Sequence, residues 1–238
     1  MQRNALTKSP PASAARARRE TPDLYPAFLS LAGRDVLVIG GGPVAARKVA
    51  GLRRAGARVT VVSPTVCPRL ESLIRSGAVH AVCRRPYQKG DLAAAPPAPA
   101  WLVIAATGDP AANRAIFEDA ERAHVFANVV DEPLLSSFHV PSVVRRGLLQ
   151  VAVSTGGASP SLARSLRRRL QKQFGPPFAE LLDALMDLRR HVRRKYPSDA
   201  VRRRCLLRSF VDSPAPALLV KRSDPKGFYS ELEKWKSL

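Results

Sequence analysis

Val36-Leu37-Val38-Ile39-Gly40-Gly41-Gly42-Pro43-Val44-Ala45-Ala46-Arg47-Lys48 is the stretch on which the fold turns. Four apolar, mostly β-branched residues suit a strand buried on both faces. The glycines behind them permit a tight turn and a close approach of backbone to a ligand. From Val44 the residues are helix formers, and the first amides of such a helix would meet a pyrophosphate. Gly40-x-Gly42-x-x-Ala45 therefore reads as a dinucleotide fingerprint, with Ala45 in the slot where a small residue lets helix and strand pack closely.

Working outward, the helix from Val44 to Ala55 stops at Gly56, and Val59-Thr60-Val61-Val62 supplies a second strand, closing a β-α-β unit. At the end of that strand Ser63-Pro64-Thr65 offers no acidic residue to hold a ribose, and no arginine sits there to hold a 2′-phosphate. The reading is NAD with its ribose on backbone and Ser63 or Thr65, or else no nucleotide. Pro68–Ser76 reads as a short helix and Val79–Cys83 as a third strand. Trp101–Ala106 is a fourth strand, ended by Thr107-Gly108-Asp109-Pro110, and Ala111–Ala123 is a helix. Val125–Val130 is a fifth strand, with Asp131 at its carboxyl end. This rhythm predicts an α/β chain with a Rossmann-like, doubly wound parallel sheet. Ligands of such sheets bind beyond the carboxyl ends of the strands, where Gly40, Thr107 and Asp131 fall. Asp109, ahead of Pro110, reads as a helix cap. Asp131 is either a proton acceptor at the mouth or the cap of a turn through Glu132-Pro133; the residues alone leave both open.

From Ser137 the pattern changes. Phe138–Val144 and Leu148–Ser154 read as consecutive strands across Arg145-Arg146-Gly147, a small β-hairpin segment. Ser159 and Pro160 open a helix with Leu162, Leu166 and Leu170 on one stripe. A second helix follows from Phe178, and a third runs from Pro197-Ser198 to about Val211. Three helices are few for a core of their own, so the expectation is a C-terminal helical region that packs on a partner subunit. The expected organisation is a basic disordered leader (1–22), an NAD-binding domain (23–136) and a strand pair forming an active-site and dimerisation segment (137–160). A helical dimerisation region (161–212) and a stretch of no assigned role (213–238) follow.

The 238 residues carry a formal charge of +20, which attracts polyanions or a polycarboxylate ligand, unless it is only the solvated face of an arginine-rich chain. No apolar run is long enough to span a bilayer. Cys67, Cys83 and Cys205 form no close pair, which favours a reducing cytoplasm. His80, His124, His139 and His191 are scattered, so no metal cluster is expected. A different class, an NAD-sensing regulator or nucleic-acid binder with a basic arm, draws on the runs Arg167-Arg168-Arg169 and Arg202-Arg203-Arg204. Neither a helix-turn-helix nor an aromatic-basic sheet pattern supports it.

Together, Leu31–Lys48, Ala105-Ala106-Thr107 with Asn113, Asn128-Val129-Val130-Asp131 and Ser154–Pro160 resemble the siroheme synthase N-terminal module. This family consists of precorrin-2 dehydrogenases, some of which are also sirohydrochlorin ferrochelatases. The resemblance runs from about Tyr25 to about Arg190, with the motifs in order. It implies NAD-dependent oxidation of precorrin-2 to sirohydrochlorin by a homodimer, with Fe2+ as a second substrate in bifunctional members. Carried onto this chain, it puts Pro43 and Val44 at the pyrophosphate, Pro64 and Thr65 on the adenosine side, and Asp131 as the general base. Asn128 and Thr155 fall near the tetrapyrrole. A substrate fringed with carboxylates gives the arginine surplus a use, and Arg145, Arg146, Arg164 and Arg168 are the candidates to clamp it.

Overall fold

The computed structural model describes residues 24–94 and 99–238. The expected leader (1–22) lies outside them. The chain divides after Val140 into two compact units.

In the first unit, β1 (Asp35–Ile39), α1 (Pro43–Arg54), β2 (Arg58–Val62), α2 (Pro68–Arg75) and β3 (Ala81–Cys83) form one half. The short α3 (Asp91–Ala94), β4 (Leu102–Ala105), α4 (Pro110–Arg122) and β5 (Phe126–Val129) form the other. All five strands are parallel, in the order β3-β2-β1-β4-β5. The β-branched runs belong in the middle because both sheet faces are covered. Val36, Val38, Val59 and Val61 pack with Ala45, Ala46 and Val49 of α1 on one face. Leu37, Ile39, Val62 and Val103 pack with Ile116 and Ala120 of α4 on the other. This is the doubly wound arrangement the sequence predicts. The direction of winding reverses between β1 and β4, so the crevice beyond their carboxyl ends is where a ligand would sit.

The crossover after β3 is pinned by one ion pair. Arg85 Nη1 and Nη2 donate to the two Asp91 oxygens at 2.8 and 2.7 Å, and the Gln88 amide donates at 2.9 Å. Hydrogen bonding from Arg85 holds the Asp91 carboxyl below the usual carboxylate range, against desolvation. A carboxylate depressed on folding stabilises at neutral pH, and that contribution is lost as pH falls below its unfolded range. Replacing Asp91 with Asn should therefore cost about 1–2 kcal/mol near pH 7. In urea melts the gap between variant and parent should close as pH falls past about 3.9.

Beyond β5 the chain does not enter a strand at Phe138, as the sequence suggests. It makes a 3-10 turn (Pro133–Leu135) and lies along the β5 edge, with a single bridge between Asn128 and Ser136. The Ser136 and Ser137 hydroxyls accept from the Val129 and Ala127 amides at 3.0 and 2.8 Å. Serine hydroxyls thus satisfy the open edge, and the next strand starts only after Pro141, which has no amide to give a ladder.

The second unit begins with the antiparallel pair β6 (Ser142–Arg146) and β7 (Leu149–Val153). It continues with α5 (Pro160–Gln173), α6 (Pro177–Lys195), α7 (Ala200–Asp212), α8 (Ala215–Val220) and α9 (Pro225–Ser237). Ser159 caps α5, accepting from the Leu162 amide at 3.2 Å, as its spacing predicts. The third helix starts at Ala200 rather than Pro197 because Asp199 caps it, accepting from the Arg202 amide at 2.8 Å. The stretch 213–238, which the sequence left without an element, is helical and supplies a missing wall. Phe210 and Phe228 are fully buried and pack with Leu181, Leu188, Leu219 and Leu232. The helices therefore close a core within the chain. That corrects the expectation that they lack one, an expectation that came from reading Pro214, Pro216 and Pro225 as breakers. Pro216 and Pro225 instead lie in the first turns of α8 and α9, where no amide is needed, and Pro214 is the N-cap residue of α8.

Candidate active site

The crevice between β1 and β4 is shaped by three glycines with different jobs. Gly40 has φ +120, and a Cβ there would lie 2.2 Å from the Ala106 carbonyl oxygen. At Gly41 a Cβ would lie 1.8 Å from the Thr65 carbonyl oxygen. Gly42 has nothing within 4 Å of where its Cβ would be. The first two fit the turn against the ends of β4 and β2, and the third leaves open space above the start of α1. That start has no side-chain cap, with Pro43 and Val44 as its opening residues. By contrast Asp109 caps α4, accepting from the Ala111 amide at 2.8 Å, as read from the sequence. An uncapped helix start beside an open glycine suits a pyrophosphate, and Ala45, fully buried, lets α1 lie close on the sheet. These residues fit a dinucleotide.

The loop after β2 is less free than its sequence suggests. Ser63 is buried, and its hydroxyl donates to the Thr65 carbonyl at 2.6 Å, so it braces the loop. Pro64 and Thr65 are exposed. After β4, the Thr107 hydroxyl donates to Asn113 Oδ1 at 2.6 Å and accepts from the Asp109 amide at 3.2 Å. Buried Asn113 is thus a support the sequence did not mark as a site residue. Thr107, Asn113, Val130, Glu132 and Leu135 line a hollow of about 420 Å³.

Asp131 is exposed and has φ +62, in the left-handed region that residues other than Gly, Asn and Asp rarely adopt. The buried Asn128 side chain is committed at both ends: Nδ2 donates to the Phe138 carbonyl at 3.1 Å, and Oδ1 accepts from Lys48 Nζ at 3.1 Å. Lys48, on α1, is not among the site residues the sequence points to, and its partner lies 80 positions away. It is half-buried. Burial pulls its ammonium below the usual lysine range, Arg47 adds to this, and the Asp131 carboxylate opposes it.

The remaining candidates lie in the second unit. Thr155 Oγ1 accepts from the Ser159 amide at 3.1 Å, in the turn leading to α5. Arg146 is engaged internally: its Nη1 donates to the Arg145 carbonyl and its Nη2 to the Gln171 carbonyl, both at 2.9 Å. Arg145, Arg164 and Arg168 are exposed. Among the described residues no three His, Cys, Asp or Glu side chains gather as a metal site. No described helix is long and apolar enough to cross a membrane.

A family model for NAD(P) binding matches residues 27–142, and one for the sirohaem biosynthesis protein central region matches 146–173. The chain belongs to the siroheme synthase N-terminal module family. Its nicotinamide-cofactor fold and its resemblance motifs are those the sequence pointed to. The siroheme synthase of Thioalkalivibrio sulfidiphilus is 43% identical over 182 residues, covering 76% of this chain and 36% of that protein. That of Nitrosospira multiformis is 44% identical over 185 residues, covering 76% and 38%. This chain thus spans less than half the length of those relatives. A solved structure, "SirC, precorrin-2 dehydrogenase", is 28% identical with a TM-score of 0.70, and covers 89% of this chain and 100% of that one.

Proposed function

We propose that this protein oxidises precorrin-2 to sirohydrochlorin, with NAD as the hydride acceptor and Asp131 as the general base. The observation that carries the reading is the juxtaposition at the carboxyl end of the sheet. An uncapped helix start and open Gly42 lie beyond β1, and the exposed Asp131 carboxylate stands beyond β5. The likeness to a precorrin-2 dehydrogenase over that protein's whole length supports it.

The oxidation removes two hydrogens from the macrocycle. One leaves as hydride with its electron pair, and the bound nicotinamide supplies the acceptor for it. The other leaves as a proton, which Asp131 takes and passes to solvent from its exposed position. Gly40 and Gly41 hold the turn against β4 and β2, and the α1 amides face the pyrophosphate. The absence of an arginine at Ser63-Pro64-Thr65 favours NAD over NADP. Arg145, Arg164 and Arg168 are exposed and can meet the substrate's carboxylates, Arg164 with its Nε already donating to the Pro160 carbonyl at 3.3 Å, whereas Arg146 serves the end of α5. Exposed Leu148 and Leu162 offer apolar surface to a second copy, and the working unit is read as a homodimer. The three free cysteines suit the cytoplasm.

The test is anaerobic turnover of precorrin-2 with NAD, followed by sirohydrochlorin and NADH absorbance. Stoichiometric appearance of both supports the reading; no turnover by a protein that binds NAD refutes it. Replacing Arg145, Arg164 and Arg168 together with Gln should raise the KM for precorrin-2 about tenfold or more while NAD affinity holds. An unchanged KM would return those arginines to solvated surface.

A further inference from the structure

We infer that Lys48 is a positioning residue of the site, a half-buried ammonium that ties the cofactor helix to the strand leading to the base and so helps keep Asp131 at the mouth. The inference rests on the proposed role of Asp131.

The contact spans 80 positions of sequence. Lys48 Nζ donates 3.1 Å to Asn128 Oδ1, joining α1 to β5. Asn128 offers no choice of orientation. Its amide nitrogen is spent on the Phe138 carbonyl, so only its oxygen is left to face Lys48. The chain from α1 to the 136–138 edge segment is therefore continuous: Lys48, Asn128, Phe138.

Such a placement has a cost. An ammonium drawn out of water is disfavoured, and one hydrogen bond to a neutral amide does not replace its hydration shell. The charged groups acting on it are Arg47 on its own helix and Asp131 beyond β5. Arg47 adds to that cost, and the Asp131 carboxylate offsets part of it. Asp131 in turn has no side-chain hydrogen bond among the described residues and holds a left-handed backbone. An ordinary surface lysine would be three or four residues round the helix, in water. Placing the cation on the helix whose first turn faces the pyrophosphate makes cofactor seating and base placement depend on one rigid element.

Two consequences separate this from a packing role. Because the fold disfavours the charged form, Lys48 loses its proton at lower pH in the folded protein than in the unfolded one. Stability of the parent should therefore rise with pH across the window just below the ordinary lysine range. Lys48→Met removes that rise and melts at or above the parent's temperature, since a buried charge is gone. Activity moves the opposite way.

The experiment has an activity arm and an arm without turnover. In the first, kcat against pH is measured for the parent, Lys48→Met and Lys48→Arg. The expectation is a kcat at least tenfold lower in Lys48→Met, with NAD affinity within about twofold, and substantial recovery in Lys48→Arg. The alkaline limb of the profile should move to higher pH in Lys48→Arg, because a guanidinium does not deprotonate. In the second, acetylation of Lys48 against pH is read by mass spectrometry in the parent and in Asp131→Asn. The labelling midpoint should move to lower pH when the carboxylate is removed. An unmoved midpoint, or a Lys48→Met variant with parental kcat, overturns the inference. If the parent itself turns over no precorrin-2, the proposed reaction fails, and the labelling arm still decides whether Lys48 and Asp131 are coupled.

Discussion

Asp131→Asn should lose about 10² to 10⁴ in kcat while its affinity for NAD stays close to that of the parent. Asparagine is the substitution of choice for a backbone reason. Asp131 sits at φ +62, and Asn shares with Asp a tolerance of that region that Ala lacks. Asp131→Ala would mix lost chemistry with backbone strain. Asp131→Gly separates the two from the other side: it removes the Cβ from a left-handed position, so turnover lost in that variant cannot be put down to backbone strain. Stopped-flow absorbance for turnover and fluorescence titration for NAD make the measurement. Parental kcat in Asp131→Asn would remove this carboxylate from the reaction. Asp109, the other acid at the mouth, is an unsuitable substitute because its carboxylate caps α4.

The sheet was legible because both its faces are buried. Uninterrupted runs such as Val36–Ile39 and Leu102–Ala105 can be little else when glycine turns and helix-forming stretches alternate with them. The caps at Asp109 and Ser159 were legible for a local reason, since capping depends on neighbours two or three residues away. What escaped the sequence was long-range. Nothing local marks Lys48 as engaged, because its partner is Asn128, and the contact exists only after β1, β4 and β5 are laid side by side. Ser63 looked available to a ribose because its hydroxyl's actual acceptor, a backbone carbonyl two residues on, is not encoded in side-chain type. The C-terminal core escaped for the opposite reason. Prolines were read as breaks, although three of them sit at helix starts, and the aromatic residues that fill the core are spread from Phe210 to Trp235.

Gly40 and Gly42, two residues apart in one fingerprint, should fail in different ways when each becomes Ala. At Gly40 the added methyl would stand 2.2 Å from the Ala106 carbonyl oxygen and 2.7 Å from its carbon, on a backbone with φ +120. Neither neighbour is a side-chain tip that can swing away: Ala106 follows β4, and its amide is bonded to Ile39 at 2.7 Å. Strain and overpacking together should cost about 3–5 kcal/mol, enough to leave little folded protein. At Gly42 the added methyl meets nothing within 4 Å, and the backbone (φ −77, ψ −178) is one any residue adopts. Gly42→Ala should fold with a loss of only a few tenths of a kcal/mol, the difference between Gly and Ala at a helix N-cap, or up to about 1. Its defect should lie in binding. In the proposed reading a pyrophosphate reaches the α1 amides through the open space over Gly42, so a methyl there should weaken NAD by about tenfold or more, some 1.4 kcal/mol. Thermal melts and NAD titrations on the two variants therefore form a crossed pair. Loss of fold in Gly40→Ala with loss of affinity in folded Gly42→Ala would mean that one glycine serves the sheet and the other serves the ligand. Parental affinity in Gly42→Ala would put the pyrophosphate elsewhere and leave the uncapped start of α1 without a ligand.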